Sequence, residues 1–406
     1  MRKKHFLRAM SFIAVSLLHS CTSELETESK QLTSKKNSVQ LVSRKSSCEY
    51  FNSAIESTII PGVKAINLDN GIPINCDNNI LIFPTLQDYE NSIIKLDQMI
   101  EDYNDAFDQQ TANMTDLEAD DYADEIGFDE DQPLTDFEKD LKFCSLRQHI
   151  IELEDAWLDQ QGDGAWNLNT SPDEYYIDDE TERALLSLGS EFIVGDCKTG
   201  YTLYKMYDWG YVSFPITDIG TTTNVLTALN NITNPTQQPF NIAGATQNQV
   251  TDILASQEPI RYTLTVTVPP VQSQPSSCKE NAKEKGEEIF SSDRRIRWKN
   301  KFRRLQSLAS GGVGVKIKSV TKSFRKKNGR WKKYRATIAA GMSGTVYSNC
   351  YSDVAVNDEK ERKRKRLKHT KVIPEQTSYQ IHKLQPNKLF SIHKQSRNVY
   401  TKEIYQ

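Results

Sequence analysis

The sequence predicts an α+β protein, with an acidic helical region that also carries short strands and a small basic antiparallel β domain. Apolar residues recur at helical spacing in the first half and alternate with polar residues in the second. Charge is also segregated. Residues 97–196 (the acidic segment) carry 30 acids and 4 bases, a net charge of −26, and residues 279–406 (the basic segment) carry 33 bases and 11 acids, a net of +22. Such segments should attract each other or meet outside partners of opposite sign, unless both are merely solvated surfaces.

Residues 1–20 have the features of a secretory signal peptide. A basic start precedes an apolar run that ends at Leu18 and is too short for a transmembrane helix. Leu18-His19-Ser20-Cys21 resembles the lipobox of bacterial lipoproteins, so we expect cleavage before Cys21 and lipid on that cysteine. His19 departs from the small residue usual at its position. The alternative is a soluble secreted protein that happens to have a cysteine there.

Residues 21–47 are predicted to be a lipid anchor and flexible tether, because they contain few apolar side chains to bury. The acidic run from Glu24 to Glu28 resembles the tract that sends lipoproteins of Bacteroidota-type bacteria to the cell surface. We therefore expect an exported protein, lipid-anchored in the outer membrane and facing the periplasm or the cell surface. Lipid at Cys21 is the only membrane attachment that the sequence predicts.

Residues 48–268 are predicted to form the acidic α+β domain. A short strand at residues 80–83 leads into a helix that Thr85 can cap, with Asp88 three residues later. The apolar residues of this helix recur at steps of three and four, namely Tyr89, Ile93, Leu96, Ile100, Tyr103 and Phe107. This spacing indicates a buried face rather than a ligand site.

A capping box from Thr135 to Glu138 predicts a second long helix, which runs through Trp157 and ends near residues 161–164. We expect it to pack antiparallel against the first helix. Aromatic and β-branched residues then predict strands at residues 191–194, 201–214 and 261–268.

The second domain is predicted to follow a Pro/Ser linker at residues 269–277. Residues 278–356 are expected to be a basic β-hairpin domain, because Asn328-Gly329 suits a type I′ turn between two alternating stretches. Residues 357–406 are strongly basic and polar, and we expect this tail to be mostly disordered.

Six cysteines remain after Cys21, and an even number in an exported protein predicts disulfides. The favoured pairing is Cys278 with Cys350, followed by Cys48 with Cys76 and Cys144 with Cys197. Fifteen pairings are possible, so the connectivity stays open, and isolated buried thiols are the alternative.

No catalytic residue, metal ligand or cofactor site is predicted. The segment from Asp159 to Gly164 imitates the start of a calcium loop, but Thr170 stands where a glutamate is needed. A solvated acidic surface is the simpler interpretation. Paired carboxylates for glycan hydrolysis cannot be picked out among so many acids. His149 lies on a predicted helix, where a single histidine is usually structural.

The basic hairpin is the best candidate for binding, because Arg and Lys interleaved with aromatic rings suit polyanions. The candidate residues are Arg294, Arg295, Arg297, Trp298, Lys326, Lys327, Arg330, Trp331, Lys332 and Lys333. In an exported protein the partner would be lipopolysaccharide, an acidic glycan or an envelope protein, and nucleic acid is disfavoured. Docking of this hairpin against the protein's own acidic region is an equal alternative.

Five short motifs together resemble uncharacterised exported lipoproteins of Bacteroidota-type bacteria. They are residues 83–89 (Phe-Pro-Thr-Leu-Gln-Asp-Tyr), 124–128 with 132–134, 143–147, 194–196, and 326–332 (Lys-Lys-Asn-Gly-Arg-Trp-Lys). The resemblance implies export and lipidation, and it supplies no activity and no catalytic residue.

The sequence therefore favours an envelope lipoprotein that binds a partner and catalyses no reaction. Two alternatives stay open. One is a glycan or peptide hydrolase that uses carboxylates of the acidic domain, and the other is a structural subunit of an envelope complex.

Overall fold

A six-stranded mixed sheet is formed by strands on both sides of the helical region. The computed structural model describes residues 51, 54–67, 79–207, 210–216, 278–306, 313–348, 352–374 and 382–405. The strands of this sheet are β1 (Ile55–Glu56), β2 (Lys64–Asn67), β3 (Asn79–Phe83), β4 (Glu191–Asp196), β5 (Gly200–Tyr207) and β6 (Gly210–Ile216). They lie in sequence order, and β3 and β4 pair in parallel while the other neighbours are antiparallel. The strands predicted at residues 80–83, 191–194 and 201–214 are therefore confirmed, with the last divided between β5 and β6.

Five helices make the crossover that the parallel pair β3–β4 requires. They are α1 (Leu86–Gln110), α2 (Asp116–Ile126), α3 (Gln132–Asp140), α4 (Leu146–Leu158) and α5 (Glu180–Ala184), with 3₁₀ turns at Leu168–Thr170 and Pro172–Glu174. Their apolar faces cover the sheet: Tyr89 of α1 stacks on Phe192 of β4 with ring centroids 4.1 Å apart. Phe83 meets both rings edge-on.

Helix α1 begins directly after Thr85, the residue predicted to cap it. The Thr85 hydroxyl accepts a hydrogen bond from the Asp88 backbone N–H at 3.1 Å. Along the predicted stripe, Tyr89, Leu96 and Phe107 are buried. Local capping chemistry and apolar spacing thus determine this element together.

The second long helix is a wrong prediction, because residues 132–158 form two helices, α3 and α4. Glu138 does not cap Thr135; it is fully buried and forms an ion pair with Arg147 of α4. Lys142 adopts a positive φ of 48° between the helices, and Ser145 caps α4 through the Gln148 N–H. A tertiary ion pair has replaced the local capping box.

The described residues between 278 and 405 form two further antiparallel sheets. Their strands are β7 (Ala282–Ser291), β8 (Arg294–Gln306), β9 (Val313–Lys327), β10 (Arg330–Lys333), β11 (Ala336–Ser348), β12 (Ser352–Arg364), β13 (Arg366–Pro374), β14 (His382–Lys383), β15 (Leu389–Gln395) and β16 (Asn398–Glu403). One sheet has the order β10-β9-β8-β7, with β13 also paired to β9; the other has the order β12-β11-β15-β16, with β14 also paired to β11.

The inner faces of these two sheets enclose a common core. Phe302 and Ile317 of the first sheet pack with Met342, Val346 and Leu389 of the second, and all five are buried. The helices and the several antiparallel sheets together make the fold α+β, as predicted.

The Asn328-Gly329 turn is confirmed, and both residues have positive φ, 53° and 79°, as a type I′ turn requires. The return strand is short. β10 stops at Lys333, and the chain then enters the second sheet at Ala336.

The basic tail is a second correction, because its described residues are ordered in strands. β12 pairs with β11 along its whole length, and β13 pairs with β9. The boundary predicted at residue 356 therefore falls inside β12. Residues 45–406 cluster as one unit, whereas the predicted linker at 269–277 and the strand at 261–268 lie outside the described residues.

Candidate functional site

The acidic helices and the basic strands meet along an extended surface, which we call the junction. It is formed by α1, α2, α4, α5 and the turn at 172–174 on one side and by β8, β9, β10, β12 and β13 on the other. Strand alternation explains how the basic side reaches it. Val315 and Ile317 of β9 face the core between the sheets, and Lys318 and Lys322 bind acidic residues of the junction.

Glu154 of α4 is the centre of one cluster at the junction. Its carboxylate lies 2.8 Å from the Lys322 ammonium, and 3.2 Å from both Arg297 and Lys333. Burial alone would raise the pKa of Glu154, but the nearby lysines outweigh it and lower the pKa to about 2. Glu154 therefore stays ionised at neutral pH and neutralises several strand cations.

A row of aspartates extends this cluster toward α5. Asp173 lies 3.0 Å from Lys322, and Asp178 lies 2.8 Å from Lys318. Burial opposes the charge of both carboxyls, but the facing lysines dominate and hold each pKa well below the usual aspartate value. Desolvated carboxylates of this kind need their partners, because removal of one member leaves an uncompensated buried charge.

Arg335, which lies between β10 and β11, anchors the other end of the junction. It is fully buried and forms ion pairs with Asp108 of α1 at 2.6 Å and Glu130 at 2.5 Å. Its guanidinium also lies over the rings of Phe107 and Phe128. Bidentate, stacked geometry is a property of arginine that lysine does not share.

The turn of the basic hairpin is held by the segment that ends at Gly164, whose sequence imitates the start of a calcium loop. Arg295 is stacked between the rings of Trp166 and Trp331, 4.3 and 4.1 Å from their centroids, and it donates hydrogen bonds to the carbonyls of Asp163 and Gly164. The Asp163 carboxylate lies 2.6 Å from the Lys326 ammonium. These contacts give the segment a docking role.

Of the ten predicted polyanion-binding residues, eight already have internal contacts. Arg295, Arg297, Trp298 and Trp331 are buried; Lys326, Lys327 and Lys333 form ion pairs with the acidic segment; and Arg294 pairs with Asp293 and lies over Tyr334. Arg330 and Lys332 are exposed, and neither side chain has an ion-pair partner among the described residues. The hairpin thus offers two unpaired cations to an outside ligand.

A cavity of about 630 Å³ lies within the junction. Its acidic wall comes from the helices and the loops beside them, and its basic wall comes mainly from β9, β10, β12 and β13. The acids are Asp97, Glu101, Asp129, Glu130, Asp131, Glu154, Asp155 and Glu180; the cations are Arg147, Lys322, Lys333, Lys360, Arg364, Lys365, Arg366 and Lys368. Eight charges of each sign make the cavity neutral overall but strongly polarised.

Two neighbouring carboxyls in this cavity have raised pKa values. Burial raises the pKa of both Glu130 and Asp131, although Arg335 opposes the shift at Glu130 and Arg147 opposes it at Asp131. Their bonding differs. Both oxygens of Glu130 accept from the Lys365 backbone N–H, whereas the Asp131 carboxylate has no hydrogen-bond or ion-pair partner in the described part of the chain.

One group of carboxylates has the geometry for a metal ion, but cations of the protein already lie there. Oxygens of Asp120, Asp121 and Asp124 lie within 4.8 Å of one another. Arg325 contacts the first two, and Lys327 contacts the last two. This cluster is part of the junction.

The predicted lipidation site and several of the predicted disulfide cysteines are not part of the junction that the structure describes. Cys21, Cys48, Cys76 and Cys350 lie outside the described residues, so lipidation and disulfide connectivity stay predictions. Among the described residues, no helix has the length and apolar composition needed to cross a membrane.

No protein-family model and no curated protein matches this chain. Among solved structures, the chain is similar to a DUF4848 family protein from Bacteroides thetaiotaomicron VPI-5482. The sequences are 12% identical, the TM-score is 0.15, and the match covers 80% of this chain and 92% of the other. A TM-score this low carries no argument about fold or function.

Sequence reasoning missed the cations that line the cavity, Lys365 and Arg366 above all. Both lie where β12 ends and β13 begins, in the stretch predicted to be disordered. The apolar and β-branched residues Leu367, Thr370, Val372 and Ile373 are the signal that could have identified the strand.

Proposed function

We propose that this chain is an exported, lipid-anchored envelope protein that binds a partner without catalysing a reaction, and that its basic strands hold its own acidic helices. The contacts of the predicted polyanion site carry this proposal. Arg295, Arg297 and both tryptophans of the site are buried, and three of its lysines already neutralise carboxylates of the acidic segment. An outside polyanion would have to break these pairs, and for a buried one such as Arg297 with Glu154 this costs several kcal/mol, about 3–5.

Heparin chromatography of the mature chain tests the internal docking. We expect weak retention that disappears near a salt concentration of about 0.2 M, because two unpaired cations release few counterions. Replacing Arg330 and Lys332 together with alanine should remove the remaining retention. Replacing Lys326 with alanine is the matched control and should leave it unchanged. Retention that persists at much higher salt in the double variant would contradict the proposal.

Membrane attachment is tested separately through Cys21. The Cys21→Ser variant should move from the membrane fraction to the soluble fraction, because lipid on this cysteine is the proposed anchor. A variant that stays in the membrane fraction would argue against lipidation there. The acidic run Glu24–Glu28 supports display on the cell surface, which protease treatment of intact cells measures.

A hydrolase is the second candidate, because a cavity with two carboxyls of raised pKa suits general acid and base chemistry. Glu130 weakens this candidate, since its oxygens accept from Arg335 and the Lys365 N–H. Glu154 and Glu180 have lowered pKa values despite their burial, because cations lie beside them. Asp131 is left as the one free carboxyl of raised pKa among the described residues of the cavity, and paired-carboxylate hydrolysis needs two.

Co-purification distinguishes the third candidate, a structural subunit of an envelope complex. A stable complex with other envelope proteins, recovered after mild detergent extraction, would support that role. Recovery of the chain alone favours an independent binding protein.

A further inference from the structure

We propose that the cavity in the junction binds the backbone of a short zwitterionic peptide, with the peptide's amino group at the acidic wall and its carboxylate at the basic wall. This inference rests on the proposed binding function and names its ligand class. Three features of the cavity carry it: the size, the separation of charge between the walls, and polar atoms that have no partner.

The volume of about 630 Å³ falls within the range of small-molecule sites, about 300–1,000 Å³. The walls also contain aliphatic side chains, such as Ile100 and Leu367, and no aromatic ring is among the described residues of the lining. Sugar sites commonly stack pyranose rings on aromatic side chains, so the lining favours an aliphatic ligand. Peptides with small aliphatic side chains fit this mixture of charged and apolar surface.

The unpartnered atoms lie on both walls. On the acidic wall, the Asp131 carboxylate has no hydrogen-bond or ion-pair partner among the described residues. On the basic wall, the Lys365 ammonium forms no ion pair with a described residue, whereas Arg366 and Glu180 pair with each other, the Arg366 Nε lying 3.6 Å from a Glu180 carboxylate oxygen. A half-buried charge without a partner is costly, so it is normally satisfied by water or by a ligand.

A zwitterion satisfies both walls with one molecule. Its ammonium donates to the Asp131 carboxylate, and its carboxylate accepts from the Lys365 ammonium. A simple anion or cation would satisfy one wall and leave a like-charged wall beside it. The peptide therefore fits the neutral but polarised cavity better than a singly charged ligand does.

Calorimetry with the mature full-length chain tests this inference, with trialanine as the probe. N-acetyl-trialanine removes the amino charge, and trialanine amide removes the carboxylate charge. We expect trialanine to bind and each modified peptide to bind at least about tenfold more weakly, because each loses a charge-assisted contact. Equal affinities for the three peptides, or no binding of trialanine, would overturn the proposal.

Two variants test which wall of the cavity each terminus of the peptide contacts. Asp131→Asn should weaken trialanine about tenfold but leave N-acetyl-trialanine unchanged, and Lys365→Gln should do the same with trialanine amide. The matched controls are Asp136→Asn and Lys332→Gln, which change exposed residues outside the cavity. Circular dichroism confirms that each variant is folded. Losses that are independent of the modified terminus would contradict the proposed orientation.

Maltose and inorganic phosphate distinguish failure of this inference from failure of the proposed function. If either one binds, and binding is weakened by Asp131→Asn or Lys365→Gln, the cavity is a binding site but its ligand is not a peptide. The proposed function would then stand, and the zwitterion inference would be wrong.

Discussion

Replacement of Glu154 by glutamine should destabilise the protein by about 3 kcal/mol at neutral pH. Neighbouring lysines lower the Glu154 pKa from 4.5 to about 2 against the effect of burial. A difference of this size corresponds to about 3 kcal/mol, at 1.36 kcal/mol for each pKa unit. This agrees with the range of about 3–5 kcal/mol expected when one member of a buried ion pair is removed.

The pH dependence provides the sharper test. Because the folded-state pKa lies below that of the unfolded chain, the stabilisation is fully present above about pH 4.5 and is lost as the pH falls toward 2. The difference in the free energy of unfolding between the Glu154→Gln variant and the native chain should therefore shrink as the pH falls through this range. Urea unfolding followed by tryptophan fluorescence measures it, because Trp157, Trp166 and Trp331 lie at the junction.

Glu152→Gln is the matched control, since Glu152 lies one half-turn away on α4 and is exposed. We expect a change within about 0.5 kcal/mol for it. If Glu154→Gln were no more destabilising than this control, or if its effect were constant down to pH 3, Glu154 would not act as the ionised centre that we describe.

Further predictions concern three other positions. Arg335→Lys should destabilise by several kcal/mol, about 3 or more, because lysine cannot contact Asp108 and Glu130 together from this buried site; chemical unfolding measures this, and full stability would contradict it. Burial lowers the pKa of His393 to about 3, so its stabilisation is present above about pH 6.5 and lost as the pH falls; His393→Gln, if folded, should lose less stability than the native chain between pH 6.5 and 3. Gly329→Ala should cost about 1 kcal/mol through its positive φ of 79°, and an unchanged melting temperature would refute the turn assignment.

Local rules predicted the elements whose partners lie close in sequence. Thr85 and Asp88 are three residues apart, and the type I′ turn needs only Asn328 and Gly329. The same rules failed at Thr135, because the partner of Glu138 is Arg147 on the next helix. A capping pattern describes what a side chain can do locally, whereas burial decides what it does.

The junction was predictable in kind but not in detail. Segregated charge predicted mutual attraction as one of two equal outcomes, yet it could not identify partners such as Arg335 and Asp108, which are 227 residues apart. The tail was misjudged for the same reason. Arg364 and Lys368 resemble a solvated basic run until Asp105 and Asp97 are brought beside them. Composition gives the number of charged residues, but only the folded structure shows which of their charges are neutralised.

The position of Arg335 and Arg364 late in the chain affects the order in which the protein can mature. Synthesis proceeds from the amino end, so the acidic helices emerge long before the strands that neutralise them. Until then their carboxylates repel one another and retain their water, which keeps the leading half open. The final strands then act as a closing step for the whole molecule, so a chain interrupted before β12 is left with its acidic surface exposed.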